Sequence, residues 1–183
     1  MNIRSSETRI LGVKIINIPF VADERGFFYE VYRNSIWESA AIPVPLEIKQ
    51  ISQSRSKAGV VRGLHYQISP PMIKVIRCLQ GHAKLIAVDP RKNSPSFGNS
   101  VVLDSVDCSS LFLYCPAGIA VGFAAYTTPT VIEYLCSAEY NPNGQNEIAY
   151  NDPTFNINWD IEKPLLSERD ANAPRLTFPV DFS

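Results

Sequence analysis

The chain is short of the residue that most often binds metals and moves protons: its 183 positions contain two histidines, His65 and His82. A multi-histidine metal centre cannot be assembled from so few. Cysteine is also sparse. Cys78, Cys108, Cys115 and Cys136 lie far apart with no C-x-x-C pair, which argues against zinc ribbons and redox dithiols and leaves buried free thiols as the expectation. A charge surplus is missing too, since 17 Lys and Arg face 18 Asp and Glu. No global field would recruit nucleic acid or an anionic membrane, so an anionic ligand must be held by a few placed cations. No apolar run approaches membrane-spanning length, and the opening MNIRSSETRILGVKII is not a basic stretch leading into an apolar core. A cytoplasmic protein is expected. With 45% hydrophobic and 19% charged residues, one folded domain over 1–183 is the default.

What the chain does have is β-structure. From Val13 to about Tyr150 it runs through VKIINIPFV, FFYEVY, VVRGLHYQ, IKVIRCLQ, AKLIAVD, SVVLD, LFLYC and VIEYLCSAEY. Turn residues separate them at 23–26, 69–71, 93–98, 116–118 and 141–144. Many short strands at near-even spacing predict an all-β sandwich or barrel. A short helix is predicted over Ser35–Ala41 with Asn34 as its cap, and another from Ser167, where S-E-R-D has the capping-box form. The last ten residues, with Pro174 and Pro179, read as an extended tail.

Strand alternation places Val61, Gly63, His65 and Gln67 on one face. A histidine there is ordinarily a hydrogen-bonded core residue. Arg62 falls on the opposite face, unless Gly63 permits a bulge that brings Arg62 and His65 to one site. Tyr134 and Tyr140 are six apart and share a face if their strand stays regular; such pairs are usually core. Lys74 interrupts the apolar IKVIRC run, as an edge-strand or snorkelling lysine would. Asp170 fits a helix cap.

Taken together, D-E-R-G-F-F-Y-E (23–30), S-x-S-K-A-G-V-V-R-G-L-H-Y-Q (54–67), V-D-P-R-K-N-S-P-S-F-G (88–98), Y-L-C-S-A-E-Y-N-P (134–142) and L-S-E-R-D-A (166–171) closely resemble the dTDP-4-dehydrorhamnose 3,5-epimerase family. The resemblance covers almost the whole chain. It implies a cupin-type jelly-roll β-barrel (a double-stranded β-helix) with a few short helices, assembled as a homodimer. The implied activity is cofactor-independent epimerisation of a nucleoside-diphosphate 4-keto-6-deoxy sugar, dTDP-linked in the family, at C3, C5 or both. By resemblance His65 is the base, Asp170 the carboxylate that orients it, Tyr134 the acid and Lys74 the cation beside the C4 oxygen. Arg62 matches a phosphate-binding arginine, and Arg25 one contributed across the dimer. Phe27 and Tyr140 match residues that hold the nucleotide base, with Glu30 and Gln50 nearby.

One position departs from the family: A-H-G-F is usual where this chain reads A-V-G-F, with Val121 in place of a polar residue. Metal cupins of the P-x-G-x-x-H type place a ligand there, and valine cannot ligate. No metal is therefore expected. A sugar-nucleotide 3,4-ketoisomerase would favour a second pocket histidine, which this chain lacks. A non-catalytic sugar-nucleotide-binding barrel would have no need of His65, Tyr134 and Asp170 together.

Overall fold

A computed structural model describes residues 3–39, 47–107 and 109–181. Two antiparallel sheets face each other. The six-stranded sheet comprises β1 (Arg4–Glu7), β2 (Lys14–Asn17), β5 (Gln50–Ser56), β7 (Lys74–Gln80), β10 (Leu111–Cys115) and β12 (Thr130–Cys136), ordered β1-β2-β10-β7-β12-β5. The five-stranded sheet comprises β6 (Val61–Gln67), β8 (His82–Val88), β9 (Ser100–Val106), β11 (Ala120–Ala125) and β13 (Gln145–Glu147), ordered β13-β6-β11-β8-β9. A hairpin of β3 (Val21–Asp23) and β4 (Gly26–Phe28) stands apart from both. This is the all-β arrangement that the strand spacing predicts and the cupin-like jelly roll that the family resemblance implies.

Period-two burial explains the layering. Ile76, Cys78 and Ile132 from one sheet meet Leu85, Ala87, Val121 and Phe123 from the other to fill the space between them. The opposite faces are also covered. Val61, Leu64, Tyr66, Ile86 and Val88 pack beneath Phe155 and Trp159, while Ile16, Val75, Phe112 and Leu135 pack with Trp37 of α1 (Asn34–Ser39). The tail is pinned, since Lys92 donates its backbone N–H to the Val180 carbonyl at 2.9 Å and Val180 donates to Pro90 at 2.7 Å.

Several expectations change. Asn34 is the first residue of α1 and its side-chain amide donates to Glu38; the Arg33 carbonyl takes the first helical bond, from Trp37. Ala40 and Ala41 of the predicted helix lie outside the described residues, as does Cys108. Cys78, Cys115 and Cys136 are buried, and the last two are free thiols. Strand character in FFYEVY stops at Phe28. The second helix, α2 (Glu168–Ala171), is as predicted: the Ser167 hydroxyl caps it, accepting from the Asp170 N–H at 3.1 Å.

The feature that shapes the site is a register shift between β6 and β11. Val121 lies opposite His65 and Phe123 opposite Arg62, so the step from Arg62 to His65 is matched by a shorter one on β11. The extra residue is absorbed at Gly63, whose φ is 122°. A Cβ at Gly63 would lie 2.7 Å from the Gly122 Cα and 2.9 Å from the Val121 carbonyl oxygen. Both glycines are required for the strands to approach this closely. The bulge also corrects simple alternation: Val61 packs outward, and Arg62 joins His65 on the inner face.

Gly63→Ala combines this clash with a disfavoured φ. We expect it to lower stability by about 3 kcal/mol or more, read as a fall in the urea midpoint; an unchanged midpoint would contradict the assigned backbone approach.

Candidate active site

At one end of the space between the sheets is a cavity of about 220 Å³ lined by Ser54, Arg62, His65, Lys74, Ile76, Val121, Gly122, Phe123 and Tyr134. The two sheets contribute opposite walls. Arg62 and His65 come from β6, and Val121 to Phe123 from β11; Ser54 on β5, Lys74 and Ile76 on β7, and Tyr134 on β12 face them.

His65 is three-quarters buried, and its Nε2 lies 2.7 Å from Oδ1 of Asp170. Asp170 is distant in sequence but arrives for a local reason. Leu165 pairs in parallel with Val60, Val61 donates to its carbonyl, and α2 then starts against β6. Asp170 is 4% exposed. Its Oδ2 accepts from the Ser167 hydroxyl at 2.8 Å, and Oδ1 also receives the Gly63 N–H at 3.4 Å. Burial raises its pKa, but the hydrogen bonds from His65 and Ser167 more than offset this, holding the carboxyl below its usual range. A carboxylate fixed in this way can orient the imidazole, leaving Nδ1 as the nitrogen not committed to Asp170.

Across the cavity, the half-buried Tyr134 has its hydroxyl 3.4 Å from Ser54 Oγ. Burial pushes its pKa up to about 12, against smaller opposing effects from the Ser54 hydrogen bond and the Arg62 charge. The phenol therefore stays protonated at neutral pH and is a donor. Lys74 begins a central strand between β10 and β12, not an edge, and its ammonium donates to the His65 carbonyl at 3.3 Å. Burial pulls its pKa down, only partly countered by neighbouring Cys136 and Cys115. A cation made costly by burial is one that a developing oxyanion would stabilise.

The remaining residues lie outside this cavity's lining. Gln50 on β5 and Tyr140 are joined by a 2.8 Å bond from the Tyr140 N–H to Gln50 Oε1. Because β12 ends at Cys136, Tyr140 lies beyond it on a loop rather than on the Tyr134 face, with its hydroxyl accepting from Arg169 at 3.3 Å. Glu30 pairs with Arg33. Arg25 and Phe27 are on the exposed β3–β4 hairpin, where Arg25 is bound to Asp23.

Two contributors had no assigned role in the sequence, Ser54 and Ser56. Ser56 Oγ accepts from Arg62 Nε at 3.3 Å. Their signal was present: serines at 52, 54 and 56 alternate along β5 and put hydroxyls on its inner face. Among the described residues no three His, Cys, Asp or Glu side chains gather as a metal-binding group. A second cleft, of about 320 Å³ around Leu11, Arg91 and Val180, has no histidine or tyrosine in its lining, and its arginine is held by Asp89.

The family model described as dTDP-4-dehydrorhamnose 3,5-epimerase matches residues 7–177. The chain belongs to that family. A dTDP-4-dehydrorhamnose 3,5-epimerase from Mycobacterium tuberculosis is 37% identical over 177 residues, spanning 93% of this chain and 86% of the relative. Among solved structures, a 4-keto-6-deoxy sugar epimerase from the novobiocin biosynthetic gene cluster of Streptomyces spheroides is 33% identical, with a TM-score of 0.90 over 96% of this chain and 88% of its own. The Legionella pneumophila dTDP-6-deoxy-D-glucose-3,5-epimerase, in complex with dTDP-4-keto-L-rhamnose, is 34% identical with a TM-score of 0.91, covering 96% and 93%. This family of sugar-nucleotide epimerases also fits the absence, among the described residues, of a helix long and apolar enough to cross a membrane.

The Asp170 carboxyl is depressed on folding, so its contribution to stability is present above about pH 4 and is lost as pH falls through its folded-state value. We expect Asp170→Asn to cost about 1–3 kcal/mol at pH 6–8, with the gap from wild type closing below about pH 4. Urea midpoints measured across that range check this; a gap that widens with acid would contradict the assignment.

Proposed function

We propose that the cavity is the epimerisation site for a nucleoside-diphosphate 4-keto-6-deoxy sugar, dTDP-linked as in the bound Legionella pneumophila relative. The ketone at C4 acidifies the C–H bonds at C3 and C5, because the carbanion left behind delocalises onto oxygen as an enolate. Inversion then requires a base on one face of the sugar, an acid on the other and a cation at the enolate oxygen. The observation that carries the reading is the facing pair: an imidazole oriented by a buried carboxylate on one wall, and a protonated tyrosine on the opposite wall.

His65 removes the proton through the nitrogen turned away from Asp170, and Lys74 stabilises the enolate oxygen. Tyr134 delivers a proton to the other face, and Ser54 receives its hydrogen bond or returns a proton to it. Arg62 meets the diphosphate. Tyr140, positioned through Gln50, and Phe27 hold the base, with Glu30 beside them. No metal or cofactor takes part in this scheme, since the groups above account for each proton and charge.

The exposed hairpin supports a homodimer. Phe20, Phe27 and Tyr29 form an aromatic group with ring centroids 5.1–6.4 Å apart, and Phe28 is 71% exposed. Apolar surface of this kind marks a contact. A second copy covering it would receive Arg25 at its own cavity. Among the described residues, the buried free thiols of Cys115 and Cys136 agree with a reducing, cytoplasmic setting.

His65→Asn should reduce turnover by about 10²–10⁴-fold while leaving affinity for the free nucleoside diphosphate nearly unchanged. Tyr134→Phe should slow net epimerisation more than proton exchange, because removal of the proton remains possible. Epimerisation at the wild-type rate in His65→Asn would overturn the base assignment, and equal losses in both rates would overturn that of Tyr134.

A further inference from the structure

Gln67 ends β6, two residues beyond His65, and is 2% exposed. A glutamine this deeply buried must spend its amide on hydrogen bonds, and Gln67 spends it on loops of the site. Its Nε2 donates to the Pro70 carbonyl at 2.9 Å and to the Glu139 carbonyl at 3.1 Å, while its Oε1 accepts from the Asn141 N–H at 2.9 Å. The last two bonds bracket Tyr140. The Tyr140 N–H itself is taken by Gln50 at 2.8 Å, so two glutamines, one from each sheet, hold the peptide groups around a single aromatic residue. The bond to Pro70 fixes the turn that leads into Lys74. The loops also touch directly: Asn141 Nδ2 donates to Ser69 O at 2.7 Å, and a Cβ at Gly144 would overlap that same oxygen.

We propose that Gln67 is a positioning residue for the reaction, its amide setting Tyr140 and the Lys74 turn at fixed distances from His65. The inference rests on the functional reading above, in which Tyr140 meets the nucleotide. Gln67 acts through these neighbours and not on the sugar. Leucine at this site would leave two carbonyls and an N–H without partners and release the loop from β6. Glutamate would keep an acceptor for Asn141 but turn a negative oxygen toward the carbonyls of Pro70 and Glu139.

The test is a double-mutant cycle between Gln67 and Tyr140, with KM, kcat and inhibition by free dTDP measured for each variant. Tyr140 is half exposed, so Tyr140→Ala does not threaten the fold. Gln67→Glu serves beside Gln67→Leu should the latter fail to fold. We expect each single variant to raise KM and the dTDP inhibition constant about tenfold. The double variant should be no more than about twofold worse than the poorer single. Losses that multiply, or Gln67 variants with wild-type KM and dTDP inhibition, would overturn the inference while leaving the epimerase reading intact. A wild-type protein that does not turn over the substrate would overturn that reading and this inference with it.

Discussion

The active-site arrangement depends on the close approach of two glycine backbones, Gly63 on β6 and Gly122 on β11. Without side chains at both, the strands could not sit where a Cβ on either would be 2.7 Å from the other's backbone. That approach accommodates the register shift, and the shift decides which side chains see the cavity. On a regular strand Arg62 and His65 would point to opposite faces. Here they point to one, so the proposed base and diphosphate-binding cation arise from a single turn of backbone geometry. Val121, the ladder partner of His65, then becomes an apolar wall beside the imidazole.

Burial supplies the electrostatics that the chemistry needs. It raises the tyrosine and depresses the lysine, while the Asp170 carboxylate resists it through its hydrogen bonds. A group kept protonated, a cation unsatisfied by solvent and an oriented imidazole thus surround one small space. The tyrosine and lysine shifts come from the walls that form the core, so the electrostatics of the candidate site are a product of the packing. Packing also sets the proposed nucleotide side, where Gln50 and Gln67 tie the Tyr140 loop to both sheets.

Much of this was legible in the sequence, and the exceptions have physical causes. Strands rich in branched and aromatic residues, such as KVIRCLQ and TVIEYLC, declare themselves because they face core on both sides. AVGFAA of β11 and QISQSRS of β5 do not: the first carries small residues that allow close approach, and the second carries serines whose hydroxyls line the cavity. The grouping of Arg62 with His65 could be posed from Gly63, but its realisation depends on Gly122, far along the chain. Asp170 looked like a helix cap and is held by one, yet its bond to His65 comes from the pairing of Leu165 with Val60. Tyr140 shares the Tyr134 face only if the strand continues that far, and β12 stops at Cys136. Arg25 and Phe27 stand on a hairpin away from the cavity of their own chain, a separation that no local pattern encodes.

The central claim is that the protein removes a proton beside a ketone and replaces it from the opposite wall. Incubating the wild-type protein with a dTDP-linked 4-keto-6-deoxy hexose in D2O, and reading deuterium at C3 and C5 separately by NMR, tests it most directly. The account predicts enzyme-dependent deuterium at one or both carbons together with inversion there. Substrate that binds, yet emerges with no deuterium at either carbon, would contradict it.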